Sequence, residues 1–198
     1  MSNMTEAWEW YRAFRRVVQN TRWADPLRES ALAGELSKWT EQLTGSVVAT
    51  CESLGWTAVG KRYPGEALPV SRQEYLALDV MAFPLKAQPK WQRPVAVFEL
   101  ENQLDLETIS YSLWKVSVIR CTFGGVFCYR RQPEEIKNLL SGLAEGVMAA
   151  MYRSTELPDA KVILVVGTRS KAEDFPDGFF KPYVWDSAFG QFRPLTMI

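Results

Sequence analysis

The sequence predicts one mixed α/β (α+β) domain, and three observations predict it. Helical apolar periodicity fills the first quarter of the chain, three short strand-like runs follow between positions 56 and 101, and helix then alternates with strand from position 106 onward. A length of 198 residues suits a single domain spanning 1–198, long enough to bury most of its apolar surface without disulfides or metals as staples.

The elements follow in order. A helix is expected over 5–20, where Ala7, Trp10, Tyr11, Phe14 and Val18 recur at helical spacing. Such an aromatic stripe is usually core, although it could stack bases in a single-strand groove. Asp25-Pro26 is expected to break the chain. A longer helix over 29–54 follows, with Leu32, Leu36, Trp39, Leu43, Val47, Cys51 and Leu54 on one face, a kink at Gly45 and Gly55 closing it. Strands are expected over 56–63, 75–83 and 95–101, bounded by Pro64-Gly65, Pro84 and Pro94. Asp105 is the expected N-cap of a helix over 106–120 that turns Leu106, Ile109, Leu113 and Val116 inward. A strand over 123–129, a helix opened by Pro133 and reaching about 152, a buried strand over 161–167 and a hairpin over 181–195 complete the chain.

Composition then excludes chemistries. There is no histidine, so no Ser-His-Asp or Cys-His nucleophile and no imidazole base can be assembled, and acid–base or metal work falls to Asp, Glu, Lys or Tyr. Cys51, Cys121 and Cys128 show no Cys-x-x-Cys spacing and read as buried, reduced thiols. The segment 1–16 lacks the apolar core of a signal peptide and later apolar runs are interrupted, so a cytoplasmic location away from membranes is the expectation. With 23 basic and 23 acidic residues there is no global pull toward nucleic acid. Local basic groups remain: Arg12, Arg15, Arg16 and Arg22; Lys61 and Arg62; Lys86, Lys90 and Arg93; Arg130 and Arg131. Short groups like these are usually solvated faces.

Two strands carry acids where apolar residues are the rule. Asp79 interrupts Leu76-Ala77-Leu78-Asp79-Val80-Met81-Ala82, and Glu99 and Glu101 end Val95-Ala96-Val97-Phe98-Glu99-Leu100-Glu101-Asn102. Because strand side chains alternate, Glu99 and Glu101 share a face about 7 Å apart, and Asp79 on a neighbouring strand lies about 5 Å aside. Carboxylates gathered out of water repel, so a proton or a hard cation such as Mg²⁺, Mn²⁺ or Ca²⁺ must compensate. Taken singly, each acid reads as a solvated strand end, a turn cap or a partner of Lys61 or Arg62; together they read as a site.

That combination resembles the PD-(D/E)XK, or restriction endonuclease-like, nuclease superfamily. The likeness spans about 29–131, with helix, three strands, helix and strand in order, Asp on the second strand and Glu-x-Glu on the third. It implies an αβββαβ core with a mixed sheet flanked by helices, followed here by a helix, a strand and a hairpin. It further implies Mg²⁺ or Mn²⁺ on Asp79 and Glu99 and metal-dependent hydrolysis of phosphodiesters, DNA favoured, with a homodimer or a protein partner as further company. Glu101 stands where the superfamily usually has lysine; a minority of its restriction enzymes carry Glu-x-Glu there, which makes Glu101 the preferred third ligand or base. Other members move the lysine to the following helix, where Lys115 is the candidate, and many add a glutamate from the preceding helix, here Glu35 or Glu52. The alternative is the same fold with a weakened site, serving as a regulatory module that binds protein or nucleic acid.

Overall fold

The computed structural model describes residues 5–70, 72, 74–85, 89–154 and 161–195. A seven-stranded mixed sheet runs in the order of the chain: β1 (Trp56–Gly60), β2 (Val80–Pro84), β3 (Ala96–Leu100), β4 (Phe123–Arg130), β5 (Val162–Thr168), β6 (Phe180–Asp186) and β7 (Gln191–Pro194). The central trio β3, β4 and β5 is parallel, and every other pairing is antiparallel. Helices α1 (Thr5–Gln19), α2 (Thr21–Ala33) and α3 (Leu36–Ser53) cover one side. Helices α4 (Leu106–Val118), α5 (Ile136–Leu143) and α6 (Ala149–Ser154) follow the parallel strands, with α4 and α5 packed on the other side. Among the described residues, no helix is long and apolar enough to cross a membrane.

Two apolar layers result, and strand alternation assigns residues to them. On β3, Phe98 enters the layer beneath α1–α3, whereas Val97 enters the one beneath α4. Phe98 needs a glycine opposite it. A Cβ at Gly125 would stand 2.5 Å from the Phe98 ring. Gly124 does the same for α4, since a Cβ there would meet Val116 at 3.0 Å.

Several expectations are corrected. Asp25-Pro26 does not break the chain: the break falls at Asn20, whose side chain caps α2 by accepting the Arg22 N–H at 3.0 Å, and Pro26 lies inside α2. Proline there forfeits one backbone bond, a loss held by packing of the fully buried Leu27 on the next position. The expected 29–54 helix is two helices, because Gly34 adopts φ +69° and ends α2. Leu32 and Leu36, flanking that break, are exposed rather than inward. Gly45 is no kink: it lies mid-helix, where Tyr63 and Trp23 pack so closely that a side chain has no room. Leu106, expected inward, is 42% exposed in the first turn of α4. The helix after Pro133 is divided by a π-helical stretch, Ala144–Met148, between α5 and α6. The strand expected over 75–83 is β2 alone, beginning at Val80.

Candidate functional site

Asp79 therefore sits one residue before β2 rather than within it. The pairing of Val80 with Phe98, continued by one residue, still sets Asp79 opposite Glu99 on the neighbouring strand. Parity also places both on the sheet side of Val97, beneath α4. The Leu100 N–H donates to Asp79 Oδ2 at 2.7 Å, fixing that carboxylate against the carboxyl end of β3. Three and two residues before Asp79, Leu76 and Ala77 take φ of 56° and 52°, the left-handed region that side chains with a Cβ rarely occupy. This turn delivers the Ala77 carbonyl to α4, where Lys115 Nζ donates to it at 2.6 Å.

Lys115 is thus no solvated helix lysine. Its ammonium also lies 2.8 Å from Glu99 Oε1, with only 17% of the lysine side chain and 9% of the glutamate side chain exposed. At that distance the ammonium is both the charged neighbour and the hydrogen-bonding partner of Oε1. Burial pushes the Glu99 carboxyl up from 4.5 to about 7; Lys115 opposes the shift, and the charges of Asp79 and Glu101 add to it. Asp79 is raised for the same first reason, opposed chiefly by its bond from Leu100.

Glu101 turns toward its own loop. Its Oε1 accepts the Gln103 N–H at 2.7 Å, and its Oε2 accepts the Ser112 hydroxyl of α4 at 3.4 Å. Among the described residues, no three acids or cysteines gather as a ready-made metal-ligand group. The compensation that clustered carboxylates demand comes from Lys115 instead. Glu35 and Glu52 do not reach the site. Glu35 is the exposed residue before α3 and pairs with Lys38; Glu52 is exposed in the last turn of α3, beside the start of β1, whereas Asp79 adjoins its end.

Some of the basic groups are engaged. Arg15 pairs with Asp177 and Arg62 with Glu41, so Arg62 is not the partner of Asp79, whose carboxylate takes the Leu100 N–H instead. The Arg130 guanidinium donates to the Leu104 carbonyl at 2.9 Å, and Lys86 lies outside the described residues. The three thiols are free; Cys51 and Cys128 are buried as expected, whereas Cys121 is half-buried.

Sequence reasoning missed the other wall of this edge. Asn102, the residue after Glu101, donates to the Thr40 hydroxyl at 2.6 Å and accepts from Arg169, just after β5, at 3.3 Å. Tyr129, near the end of β4, accepts the Trp39 indole N–H at 2.7 Å. The carboxyl ends of parallel strands form the usual crevice for ligands in open α/β sheets, and that regularity was the available signal. Comparison with family models, with curated proteins and with solved structures returned no match.

Proposed function

We propose that the chain is a divalent-metal-dependent phosphodiester hydrolase with a restriction endonuclease-like core, acting on DNA. One observation carries this reading: Asp79, Glu99 and Lys115 meet at the carboxyl end of β3 in a largely buried setting. The order α3, β1, β2, β3, α4, β4 supports it, since it is the helix, three strands, helix and strand of that core. Lys115 supplies from α4 the ammonium that Glu101 displaces from the strand.

The residues present fit Mg²⁺ or Mn²⁺. Such an ion takes one or two protein carboxylates and completes its shell with water and substrate phosphate, so Asp79 and Glu99, facing each other across neighbouring strands, suffice. When bound, the ion supplies Lewis acidity at the phosphate and a water that ionises near neutral pH. The chain's own groups do the rest. Leu100 holds Asp79 in orientation, and Glu99 surrenders its proton near pH 7. Lys115, tethered to the Ala77 carbonyl, stabilises the phosphate or orients the attacking water, and its partial burial strengthens that interaction. Glu101 holds the β3–α4 loop and adds negative potential.

A second reading rests on the same ion pair. Lys115 already compensates Glu99, which suits a nuclease-like fold that binds protein or nucleic acid without cleaving it. Titration calorimetry with Mg²⁺ and Mn²⁺, beside a plasmid-cleavage assay, separates the two. Metal-dependent nicking that disappears in Asp79→Asn supports the enzyme. Folded protein with neither metal binding nor cleavage leaves the binding module.

A further inference from the structure

On the α1–α3 side of the same strand ends lies a cavity of about 140 Å³, lined by Ala31, Leu36, Trp39, Asn102, Tyr129 and Arg169 among others. An apolar cavity of roughly 150 Å³ holds one benzene ring. Trp39 and Tyr129, in edge-to-face contact 5.8 Å apart, are almost fully buried and form rigid aromatic walls. Its polar groups are incompletely used. Tyr129 Oη accepts from Trp39, which leaves the phenolic proton to donate; Asn102 Nδ2 is committed to Thr40, which leaves its amide oxygen to accept. The Arg169 guanidinium lies 5.9 Å from the centre of the Tyr129 ring, exposed to solvent at the mouth. One ring-sized slot, one donor, one acceptor and a cation at the entrance are the complement of a nucleobase with its phosphate outside.

From this arrangement we infer that the cavity binds a single unstacked nucleobase. The inference deepens the phosphodiesterase reading, which supplies the nucleic acid, but the cavity's chemistry is independent of the carboxylates. Asn102 joins the two, being next in sequence to Glu101. The base comes either from a DNA strand or from a free nucleotide.

The test is run in chelator, so that it does not depend on metal. Calorimetry with the four deoxynucleoside monophosphates is paired with quenching of the protein's tryptophan fluorescence, to which Trp39 contributes, by a short single-stranded oligothymidylate. Each is measured on wild type, on Ala31→Phe, which fills the cavity, and on Arg169→Ala, which removes the cation at the entrance together with its bond to the Asn102 carbonyl. Near-ultraviolet circular dichroism checks that each variant is folded. Binding weakened about tenfold or more by Ala31→Phe, the scale of one lost base stack, and less by Arg169→Ala supports the proposal. Binding of the oligonucleotide alone assigns the base to a strand, and binding of monophosphates as well assigns it to free nucleotide. No binding of any probe, or binding indifferent to both variants, overturns it. Nucleotide binding without plasmid cleavage keeps the cavity and removes the nuclease; cleavage without nucleotide binding does the reverse.

Discussion

The two sides of β3 make opposite use of adjacent residues. Phe98 enters a layer beneath α1–α3 that is almost wholly aromatic and aliphatic, with Trp10 at 4.6 Å and Phe123 at 5.7 Å between ring centres. Glu99 enters the layer beneath α4, where burial raises its carboxyl to about 7 and Lys115 is its charged neighbour. Burial stabilises on the first side, because removing aromatic surface from water is favourable. On the second it costs, because a carboxylate out of water is unfavourable unless fully paired. The contrast between the two sides is the physical basis of the proposed site.

The largest expected effect lies on the apolar side. Phe98→Ala should lower unfolding free energy by about 3–5 kcal/mol, since the cavity it leaves is walled by rigid rings. Glu99→Gln, one residue away, should be nearly neutral or stabilising near pH 7, as it removes a desolvated charge. Parallel urea titrations measure both, and equal destabilisation would erase the contrast between the two sides.

Next comes catalysis. In the plasmid assay, Lys115→Ala should cut the cleavage rate on the order of 10²-fold or more with metal affinity intact, as for the loss of one transition-state contact. Glu101→Gln should cost less, because its carboxylate is engaged with Gln103 and Ser112. That ranking reverses the expectation from sequence, which preferred Glu101. A larger loss for Glu101→Gln restores it as the third ligand.

A smaller effect concerns metal and stability. Mg²⁺ or Mn²⁺ at 10–100 times Kd should stabilise the fold by about 1–3 kcal/mol, read as a rise in Tm, and Asp79→Asn should abolish the response. Indifference of wild-type Tm to metal and chelator alike speaks for the binding module.

The smallest effect is the pH dependence. The folded Glu99 carboxyl binds its proton more tightly than the unfolded one, at about 7 against 4.5. Its contribution to stability is therefore fullest below 4.5 and is lost as pH rises through about 7. Wild type should lose stability across that window relative to Glu99→Gln, and metal binding near pH 6.5 should release a fraction of a proton. Parallel pH–stability curves for the two proteins would show that the carboxyl is not held up by burial.

Much of this was legible in advance because it is local. Helix α1, the Asp105 cap and the β6–β7 hairpin follow from apolar spacing, a side-chain acceptor and turn residues, which act within a few positions. Asp79 and Glu99 stood out because a charge within an apolar run needs a reason wherever the chain goes. The breaks near Pro26 and Gly34 were misjudged because propensity is worth about 1–3 kcal/mol there and the packing of Leu27 competes with it. Lys115 stayed a candidate beside Glu101 because periodicity gives a helix face but not what lies against it.

By itself, then, the sequence determined the class of the fold, the exclusion of histidine chemistry and the acids that carry the candidate site, since each depends on residue type and near-neighbour spacing. Only the tertiary structure decided which cation compensates them. Lys115 lies 16 residues beyond Glu99 and meets it because α4 packs back across β3 and β4. The left-handed turn at Leu76 and Ala77 is likewise a tertiary outcome: no local preference favours it, and it holds where the Ala77 carbonyl reaches Lys115 and Asp79 reaches the Leu100 N–H.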